Sequence, residues 1–494
     1  MAELFELTLS PLGTDVVLLA FRGSDAISKP YRYRVLVSLP TAAVPTAADV
    51  VGVKATLRIQ PDPDVEAEQV HGVATDLQVL DPTGERSLVL VTLRPRLWQL
   101  SLTRHNRVFT ETSIPEVITK VLEANGWADG TDFELKLDHS YADEAHICQY
   151  KESDLAFIAR WLEHEGMVYF FDQAGDVDKL IISDHKSFHE AGPAKAIRYY
   201  PLMSRSAAPV RGAFERFVPR KQLVPKAVRT VDYDYAHPTL ELSAEEDVAA
   251  GTEAIAVDHG ARFWEPGEGK RLAKIRKEEQ VAGAQSFEGE GHVPRVRPGY
   301  RFELCQHPRD CFNKAFLCTS SERHGNLRGR SAAVRNALGI EDDEVYRVRC
   351  KAILASVQYR HPRSTPRPRI HGFERATIDG PADSDYAQLD DDGRYQVRFG
   401  FDEEDNADGS ASTAVRMMQP HGGNPEGWHL PLRKGTEVLV AFVGGDPDRP
   451  VIAGAVPNAE TPSPVTADNH TRNVFISGGE NWLEIGRASC RERV

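Results

Sequence analysis

Residues 435–458 restrict the possible folds of this chain more than any other stretch. Apolar side chains recur at every second position at Val438, Val440 and Phe442, which predicts a β-strand with one buried face. A polar turn then leads into a second apolar run. The turn consists of Gly444, Gly445, Asp446, Pro447, Asp448, Arg449 and Pro450. Glycine gives access to unusual backbone angles, proline fixes φ, and aspartate accepts hydrogen bonds within its own turn, so the stretch predicts a β-hairpin with a stiff tip.

Length, charge and cysteine content set outer limits on the class of protein. The chain has 494 residues, too many for one hydrophobic core, so we expect several domains. A formal charge of −14 argues against a general affinity for nucleic acid or anionic lipid. The six cysteines are sparse and irregularly spaced, which favours reduced thiols. The acidic start lacks the basic and apolar parts of a signal peptide, which predicts synthesis and folding in the cytoplasm.

The first half of the chain predicts antiparallel sheet followed by two helices. Apolar residues alternate at 5–9 and 31–39, and 53–60 and 87–93 are typical of further strands. The first helix is predicted after the capping box at Ser113, and it ends at Gly126. The second is predicted between Ser153 and Gly166, with His164 on its solvent-exposed face.

The second half predicts a linker and a small barrel. Residues 360–369 combine prolines with arginines, which favours an extended linker between domains. Beyond it, Tyr395, Val397, Phe399 and Phe401 alternate as the inner face of a strand. The segment 414–419 is predicted to be another strand of this barrel. Before the linker, the basic segment 328–330 and the acidic run 341–344 are predicted to lie in a solvated loop.

Several short segments resemble the VgrG family, the spike proteins of type VI secretion systems, and they occur in that family's order. They are Leu97–Trp98, 113–126, 149–160, 163–171, 231–235 and 297–302. The 435–458 hairpin resembles the oligonucleotide/oligosaccharide-binding (OB) barrel of the same family. The likeness runs from near residue 1 to about Ile485, so it covers nearly the whole chain.

The resemblance implies a mainly β fold with inserted helices and a definite domain order. A phage-hub-like region of two β-barrel modules with helical insertions is expected at 1–365, and an OB-fold domain at 366–460. A linker and the start of a trimeric β-prism or β-helix needle are expected at 461–485. The last residues, 486–494, resemble the conceptual translation of a sequencing-adapter oligonucleotide, so we expect a non-native tail there and a natural protein that continues beyond Ile485.

The resemblance also implies a mechanical function. A homotrimer would sit on the Hcp tube among baseplate proteins, bear a PAAR-type tip protein, and carry effectors and their adaptors through a target membrane. Assembly in the cytoplasm would precede export by the type VI machine. No cofactor, catalytic group, metal or nucleic acid is implied. The residues singled out are architectural and lie at the base of the needle: Gly444, Asp446, Pro447, Asp448, Arg449 and Pro450.

Patterns typical of catalysis or metal binding are weak. Cys305, His307, Cys311 and Cys318 lack the close cysteine pair typical of zinc sites, so we do not predict a metal there. The segment 267–270 lacks the first glycine and the Ser or Thr of a phosphate-binding loop. The sequence therefore predicts no enzyme.

The barrel's charges favour a structural surface over a nucleic-acid groove. Arg394 and Arg398 share one strand face, but the acidic runs 390–392 and 402–405 flank them. This arrangement is typical of a charged outer wall or of a contact to a neighbouring subunit.

Two alternative functions remain open. The chain could be the first part of a spike whose C-terminal extension is a toxic enzyme. It could also be the spike of a phage tail or of an extracellular contractile injection particle.

Overall fold

The chain divides into two compact units. The computed structural model describes residues 4–81, 84–201, 210–249, 252–327, 329, 331–387, 389–404, 409, 411–477 and 482–485. The first unit consists of Met1–Leu102, Ile118–Ser140 and Leu155–Thr365, and the second of Thr103–Val117, Tyr141–Asp154 and Pro366–Val494. The predicted tail at 486–494 lies outside the described residues.

The N-terminal strands form an antiparallel module, as the alternation of apolar residues predicts. Its elements are β1 (Phe5–Thr8), β2 (Val17–Ala26), β3 (Lys29–Pro40), helix α1 (Ala47–Val50), β4 (Lys54–Ile59), β5 (Glu68–Asp81) and β6 (Arg86–Arg94). The strand order is β1-β4-β5-β6-β3-β2. Phe5, Tyr33 and Leu39 are fully buried, so the alternating side chains form the core of the module.

Both predicted helices are confirmed. The elements of this region are β7 (His105–Phe109), β8 (Thr112–Ser113), α2 (Ile114–Ala124), β9 (Phe133–Lys136), β10 (Asp143–Glu144), β11 (Ile147–Glu152), α3 (Asp154–Glu165), β12 (Val168–Asp172) and β13 (Lys179–Ser183). The N–H of Ser113 donates to Oε2 of Glu116 at 3.2 Å, which caps α2. Gly126 and Gly166 follow the helices with φ of +74° and +72°, a conformation that glycine adopts without a Cβ clash.

The prediction that His164 faces solvent is wrong. His164 and Glu165 are both buried, although the local sequence of α3 places them away from its apolar stripe. Arg271 pairs with Glu165 at 2.5 Å, and Arg276 donates to the main-chain carbonyl of His164. Both arginines come from α4 (Pro266–Ala284), so a distant helix supplies polar partners where water was expected.

The rest of the first unit contains a closed ring of strands. The strands of this region are β14 (Ala191–Tyr199), β15 (Ala213–Lys221), β16 (Ala227–Asp232), β17 (Leu242–Asp247), β18 (Ile255–His259), β19 (Gln285–Gly291), β20 (Arg301–Cys305), β21 (Ala315–Asn326) and β22 (Tyr346–Leu354), with α5 (Ala332–Leu338) before β22. Strands β16, β17 and β18 form a separate three-stranded sheet, and the other six form the ring. The order β21-β20-β14-β15-β19-β22 returns to β21, because β21 also pairs with β22. Since β21 pairs with β2 as well, the ring and the N-terminal module share one continuous sheet.

Aromatic side chains fill the ring. Phe316 is fully buried, and its ring centroid lies 4.8 Å from that of Phe287 and 5.0 Å from that of Phe217. Phe302 and Phe214 extend the same cluster. These contacts are edge-to-face or offset, the geometries that aromatic rings prefer. The cluster therefore stabilises the ring beyond the burial of apolar area alone.

A buried charge cluster lies where the ring meets the N-terminal module. Glu68 of β5 accepts from Arg297 Nε at 2.7 Å and from Arg323 Nη1 of β21 at 2.6 Å. The side chains of Glu68 and Arg323 are essentially inaccessible to solvent. Burial alone would raise the pKa of Glu68, but the two guanidinium groups outweigh it and hold this pKa at about 2. Glu68 therefore stays ionised inside the protein.

The predicted linker at 360–369 has no regular secondary structure, but its first half is attached to the first unit. The main-chain N–H groups of Ser364 and Thr365 both donate to Glu163 Oε2 at 2.9 Å. Arg360 donates to a main-chain carbonyl just after α3. Hydrogen bonds thus hold the segment in place up to Thr365, and its extended conformation remains a prediction.

The second unit contains a small barrel and a C-terminal hairpin. Its remaining strands are β23 (Phe373–Ile378), β24 (Val397–Phe399), β25 (Glu437–Phe442), β26 (Pro450–Ala455), β27 (Asn473–Ile476) and β28 (Trp482–Ile485). The barrel strands follow the order β24-β23-β25-β26. Tyr395, Val397 and Phe399 are buried, which confirms the predicted inner face. None of the helices in the described ranges is long and apolar enough to cross a membrane.

The strand predicted at 414–419 does not form a ladder. Val415 makes an isolated antiparallel bridge with Tyr395, and Met417 makes an isolated parallel bridge with Ile452. Because the segment passes from one neighbour to another within two residues, no continuous strand pairing develops. The predicted strand is therefore replaced by two single bridges to different neighbours.

Candidate functional site

The predicted hairpin is formed by β25 and β26, and hydrogen bonds within its tip close the turn. Gly444 and Gly445 have φ of +66° and +77°, so both positions require glycine's freedom. The carbonyl of Asp446 accepts from the N–H of Arg449 at 2.9 Å, and its Oδ1 accepts from the N–H of Asp448 at 3.1 Å. The tip is therefore closed by its own aspartate, as the sequence predicts.

The two prolines of the tip have separate positions. Pro447 is buried in the turn, whereas Pro450 opens β26 opposite Phe442. Arg449 lies with Nε 3.7 Å from Asp446 Oδ2, so the sixth predicted residue also contacts the turn. The structure thus brings all six predicted residues into one compact turn.

Contacts from other segments attach the tip to the barrel. Arg369 Nη1 donates to the carbonyl of Gly444 at 2.6 Å, and the N–H of Ile370 donates to the carbonyl of Gly445 at 2.9 Å. Asp448 Oδ1 accepts from the main-chain N–H of Cys148 at 2.5 Å. Asp448 therefore satisfies a backbone donor of β11, a strand that precedes it by 300 residues.

Cys148 is a site residue that sequence reasoning missed. Together with Val108 and Tyr150 it is buried in the same apolar core as the barrel residues Phe399 and Val440. No local signal connects the 103–117 and 141–154 segments to the barrel, since both lie within the region assigned to the hub. Only the folded chain shows that they complete the barrel's core.

A second contact joins the same early segments to the barrel. Glu403 Oε2 lies 2.7 Å from His105 Nδ1, and Glu403 Oε1 accepts from the N–H of Asn106 at 2.9 Å. The neighbouring Asp402 accepts from the N–H of Val108 at 3.3 Å. Burial raises the pKa of Asp402 to about 6, because desolvation outweighs the backbone donors. Two acids of the predicted charged wall therefore make structural contacts.

The C-terminal hairpin is exposed. Strands β27 and β28 pair antiparallel over four residues each. Ile476 is 44% exposed and Leu483 is 59% exposed. Residues 478–481 between the strands lie outside the described residues. A two-stranded hairpin of this size is at best marginally stable alone.

The residues considered for metal binding are dispersed. Cys318 is buried in β21, Cys311 is exposed, and the His307 ring packs 4.3 Å from Tyr199 and 4.7 Å from Phe312. Among the described residues, no three His, Cys, Asp or Glu side chains are grouped to hold a metal ion.

The remaining sequence features have packing or surface positions. Gly269 lies in the first turns of α4, where a Cβ would come within 2.5 Å of the Phe263 ring, so close helix packing explains it. Arg394 pairs with Asp390 at 2.6 Å, and Arg398 is exposed in β24. This agrees with the predicted charged wall of the barrel.

The chain matches two protein families in succession. Residues 24–329 match the phage tail baseplate hub (GPD) family. Residues 386–456 match the type VI secretion system/phage-baseplate injector OB domain. The second match contains the hairpin tip and Asp402.

Individual proteins that are similar to this chain agree with the two family matches. The type VI secretion system spike protein VgrG5 of Pseudomonas aeruginosa is 30% identical over 99% of this chain, and the chain spans 63% of that protein's length. The actin cross-linking toxin VgrG1 of Vibrio cholerae is 25% identical over 95% of this chain and 43% of its own length. A solved structure of an E. coli component of the type VI secretion system shares the fold, with a TM-score of 0.65 at 23% sequence identity. The match covers 91% of this chain and all of the E. coli chain, which is described as similar to the phage T4 tail proteins gp27 and gp5.

Proposed function

The chain belongs to the phage tail baseplate hub family, and we propose that it acts as the structural spike of a type VI secretion system. The observation that carries the proposal is the succession of a hub match and an injector OB-domain match within one chain. The P. aeruginosa relative is itself named a spike protein of such a system. Because the chain spans less than two thirds of that relative, the activity of the whole protein is part of the proposal.

We propose that three copies assemble through the C-terminal hairpin. The exposed Ile476 and Leu483 would be covered if strands of two further copies packed against β27 and β28. In this arrangement 461–485 begins the needle, and the Gly444–Pro450 turn with its Cys148 contact is a rigid clasp at the needle's base. Since a single copy leaves the hairpin unpaired, trimerisation would stabilise each chain.

We propose that the first unit faces the Hcp tube. Its N-terminal module and its closed ring each have six strands among those described, and they share one sheet. Three copies would therefore present six β modules to the tube. By the same resemblance, baseplate proteins would surround the hub, a PAAR-type tip would cap the needle, and effectors and adaptors would travel on it.

Deletion of the gene tests this function. In a strain without a second copy, the spike proposal expects loss of Hcp from the culture medium and loss of killing of competitor cells. Restoring the full gene should recover both. Unchanged Hcp export in the deletion strain would contradict the proposal. Light scattering of the full gene product should give the mass of a trimer.

An effector-bearing spike is the second candidate. It is favoured by the V. cholerae relative, which is named a toxin and of which this chain covers 43%. The gene sequence beyond Ile485 distinguishes the candidates: a strand-rich repeat would support a purely structural spike, and a globular extension would support an effector. In either case we assign no reaction to 1–485.

A spike of a phage tail or extracellular injection particle would have the same architecture. The neighbouring genes separate these machines from a type VI system, because a membrane-anchored system requires genes for its envelope complex.

A further inference from the structure

Arginines cluster on three adjacent strands of the N-terminal module. They are Arg22 on β2, Arg32 and Arg34 on β3, and Arg94 at the end of β6. Arg22 pairs with Arg34 in the ladder between β2 and β3, and the register of the β3–β6 ladder places Arg94 next to Arg32. These four residues, here called the arginine patch, span about 10 Å across the strands at the usual strand spacing.

The alternation along β3 determines the face on which the patch lies. Tyr33 and Val35 are fully buried in the core of the module. Neighbouring side chains of a strand point to opposite faces, so Arg32 and Arg34 lie on the face turned away from that core. Arg32 is exposed and Arg34 is half-buried. The patch is therefore on the outside of the module.

Most of the patch lacks a negatively charged partner. Among the described residues, no carboxylate lies within ion-pair distance of Arg32, Arg34 or Arg94. Arg22 approaches one acid, Glu322, at 3.9 Å, and both side chains are largely exposed. An exposed pair at this distance contributes little, so the positive charge of the patch is largely uncompensated.

Arg94 is held in place by an aromatic ring. Its guanidinium carbon lies 4.6 Å from the centroid of the Trp98 ring, and its Nε is a buried atom without a hydrogen-bond partner. The nearby acid Asp76 accepts from Gln78 Nε2 at 2.9 Å and makes no ion pair with Arg94. The ring thus fixes a guanidinium group whose donors are left for another molecule.

The arginines of the patch also repel one another. Burial lowers the pKa of Arg34, and the charges of Arg32 and Arg22 lower it further. Burial and the charge of Arg32 lower the pKa of Arg94 in the same way. Like charges on neighbouring strands destabilise a sheet, so the patch is unfavourable in the isolated chain and an anion bound there would relieve it.

Arginines on the ring part of the same continuous sheet are paired. Arg347 lies 3.0 Å from Glu290, Arg349 lies 3.1 Å from it, and Arg216 lies 3.7 Å from it. Exposed arginines are therefore matched with an acid on the ring, and the missing acids are a local property of the module.

The surroundings of the patch favour a short acidic segment as its ligand. The ladders place Asp76 of β5 on one side of the patch and Glu322 of β21 on the other. A nucleic acid strand or a membrane surface would extend beyond the patch onto these acids, and the net charge of −14 would oppose its approach. A carboxylate pairs with a guanidinium group through two parallel hydrogen bonds and needs no more room than the patch offers.

We propose that the arginine patch is the docking site for an acidic segment of a partner protein, whose carboxylates pair with Arg32, Arg34 and Arg94. The bound carboxylates supply the acids that the module lacks and remove the repulsion between its arginines. This inference does not depend on the spike function, because it rests on the charges of the module alone.

Fluorescence anisotropy with the full chain tests the proposal. The probe is a labelled, end-blocked hexaglutamate peptide at low ionic strength, and the wild type should bind it but not the matching hexaglutamine peptide. Arg32→Gln combined with Arg34→Gln should weaken binding roughly fivefold, because an exposed charge pair is worth a factor of about 1.4–5. The matched control Arg216→Gln removes an arginine from the ring part of the sheet and should leave binding unchanged.

Thermal unfolding separates docking from folding. Since Arg32 and Arg34 have no carboxylate partner to lose, the double variant should melt at the wild-type temperature or above it. If the double variant fails to fold, Arg32→Gln replaces it, because it changes one exposed side chain. Arg32→Lys keeps the charge and should bind better than Arg32→Gln.

Three results would overturn the proposal. The first is a wild type that does not bind hexaglutamate, or a double variant that binds it equally well. The second is an Arg216→Gln control that loses as much affinity as the double variant, which would indicate general attraction to the surface. The third is tighter binding of inorganic phosphate or of a single-stranded oligothymidylate at the patch, which would indicate a phosphate ligand and not a carboxylate.

Discussion

The ring of the first unit and the barrel of the second unit hold their strands together with different contacts. The ring has strands of up to 12 residues that are joined by backbone ladders, and an aromatic cluster fills its interior. The barrel has regular strands of three to six residues, and several of its wall contacts are isolated bridges.

Side chains replace part of the ladder in the barrel. Asp448 satisfies the N–H of Cys148, Asp379 Oδ2 accepts from the N–H of Gly409 at 2.7 Å, and Ser412 Oγ accepts from the N–H of Val397 at 2.9 Å. The comparison teaches that the wall of a barrel can be held together either by backbone ladders between its strands or by a few polar side chains that accept hydrogen bonds from main-chain N–H groups. We therefore expect single substitutions to act through packing in the ring and through hydrogen bonding in the barrel.

The largest effect is expected from truncating the ring's aromatic cluster. Phe316→Ala should lower the free energy of unfolding of the first unit by about 3–5 kcal/mol, because it leaves a cavity among tightly packed rings. Denaturant unfolding measures the change. Phe373→Ala in the second unit is the matched control, since Phe373 is 57% exposed, and it should change stability by less than about 0.5 kcal/mol. Equal losses in both variants would contradict the comparison.

Removing the buried charge of the first unit should have the next largest effect. Glu68→Gln leaves Arg297 and Arg323 buried without their shared carboxylate, and we expect a loss of about 3 kcal/mol. Thermal unfolding measures the loss, and Glu322→Gln is the matched control because the side chain of Glu322 is 61% exposed. The difference between the two variants gives the contribution of burial. A Glu68→Gln protein as stable as this control would show that the cluster is dispensable.

The barrel's side-chain closure is tested at Asp448. Asp448→Ala leaves the buried N–H of Cys148 without this acceptor, and we expect a loss of about 1–3 kcal/mol. Asp448→Asn keeps an accepting oxygen and should cost less than half as much. Exchange of the Cys148 amide should increase in the alanine variant. If both substitutions cost the same, the charge of Asp448 matters and the hydrogen bond does not.

The last prediction concerns the dependence of stability on pH, which has opposite signs for Glu68 in the first unit and Asp402 in the second. The pKa of Glu68 is lowered to about 2, so its contribution is present above its unfolded pKa near 4.3 and is lost as pH falls towards 2. The pKa of Asp402 is raised to about 6, so the folded unit binds this proton more tightly and loses stability as pH rises from about 4 to 6.

The variant Asp402→Asn measures that second effect. Because Asp402 is half-buried and partly screened by solvent, we expect the variant to exceed the wild type by only about 1 kcal/mol at pH 7, with no difference at pH 4. The exposed Asp385→Asn is the control and should change the free energy of unfolding by less than about 0.5 kcal/mol. A variant that is less stable than the wild type at pH 7 would reverse the assigned sign.

Local patterns in the sequence predict local structure well. The capping box at Ser113, the alternation of Tyr395, Val397 and Phe399, and the turn from Gly444 to Pro450 are each confirmed by the structure. In these cases the residues that determine the conformation are neighbours in the chain. Helix caps, strand faces and tight turns are short-range problems, and a single sequence contains the information they need.

Long-range partners explain what the sequence did not predict. His164 is buried because Arg276 of another helix reaches its carbonyl, and Glu344 Oε2 lies 2.7 Å from Nε2 of His292, which precedes it by 52 residues. Cys148 joins the barrel core although it precedes β23 by more than 200 residues. A polar residue is predicted to be exposed when its partner is far away in the sequence. The wrong predictions therefore concern polar residues whose partners lie on distant segments of the chain.

The discontinuous second unit limits how such genes can recombine. A crossover at residue 366 would transfer the barrel strands but leave Val108, Cys148 and Tyr150 with the parental half, although all three belong to the barrel's core. A foreign barrel joined there would inherit a mismatched set of core side chains and lose the acceptor for the Cys148 amide unless it kept an equivalent of Asp448. Shuffling of these proteins should therefore tolerate breakpoints after the barrel, in 459–472, better than breakpoints in front of it.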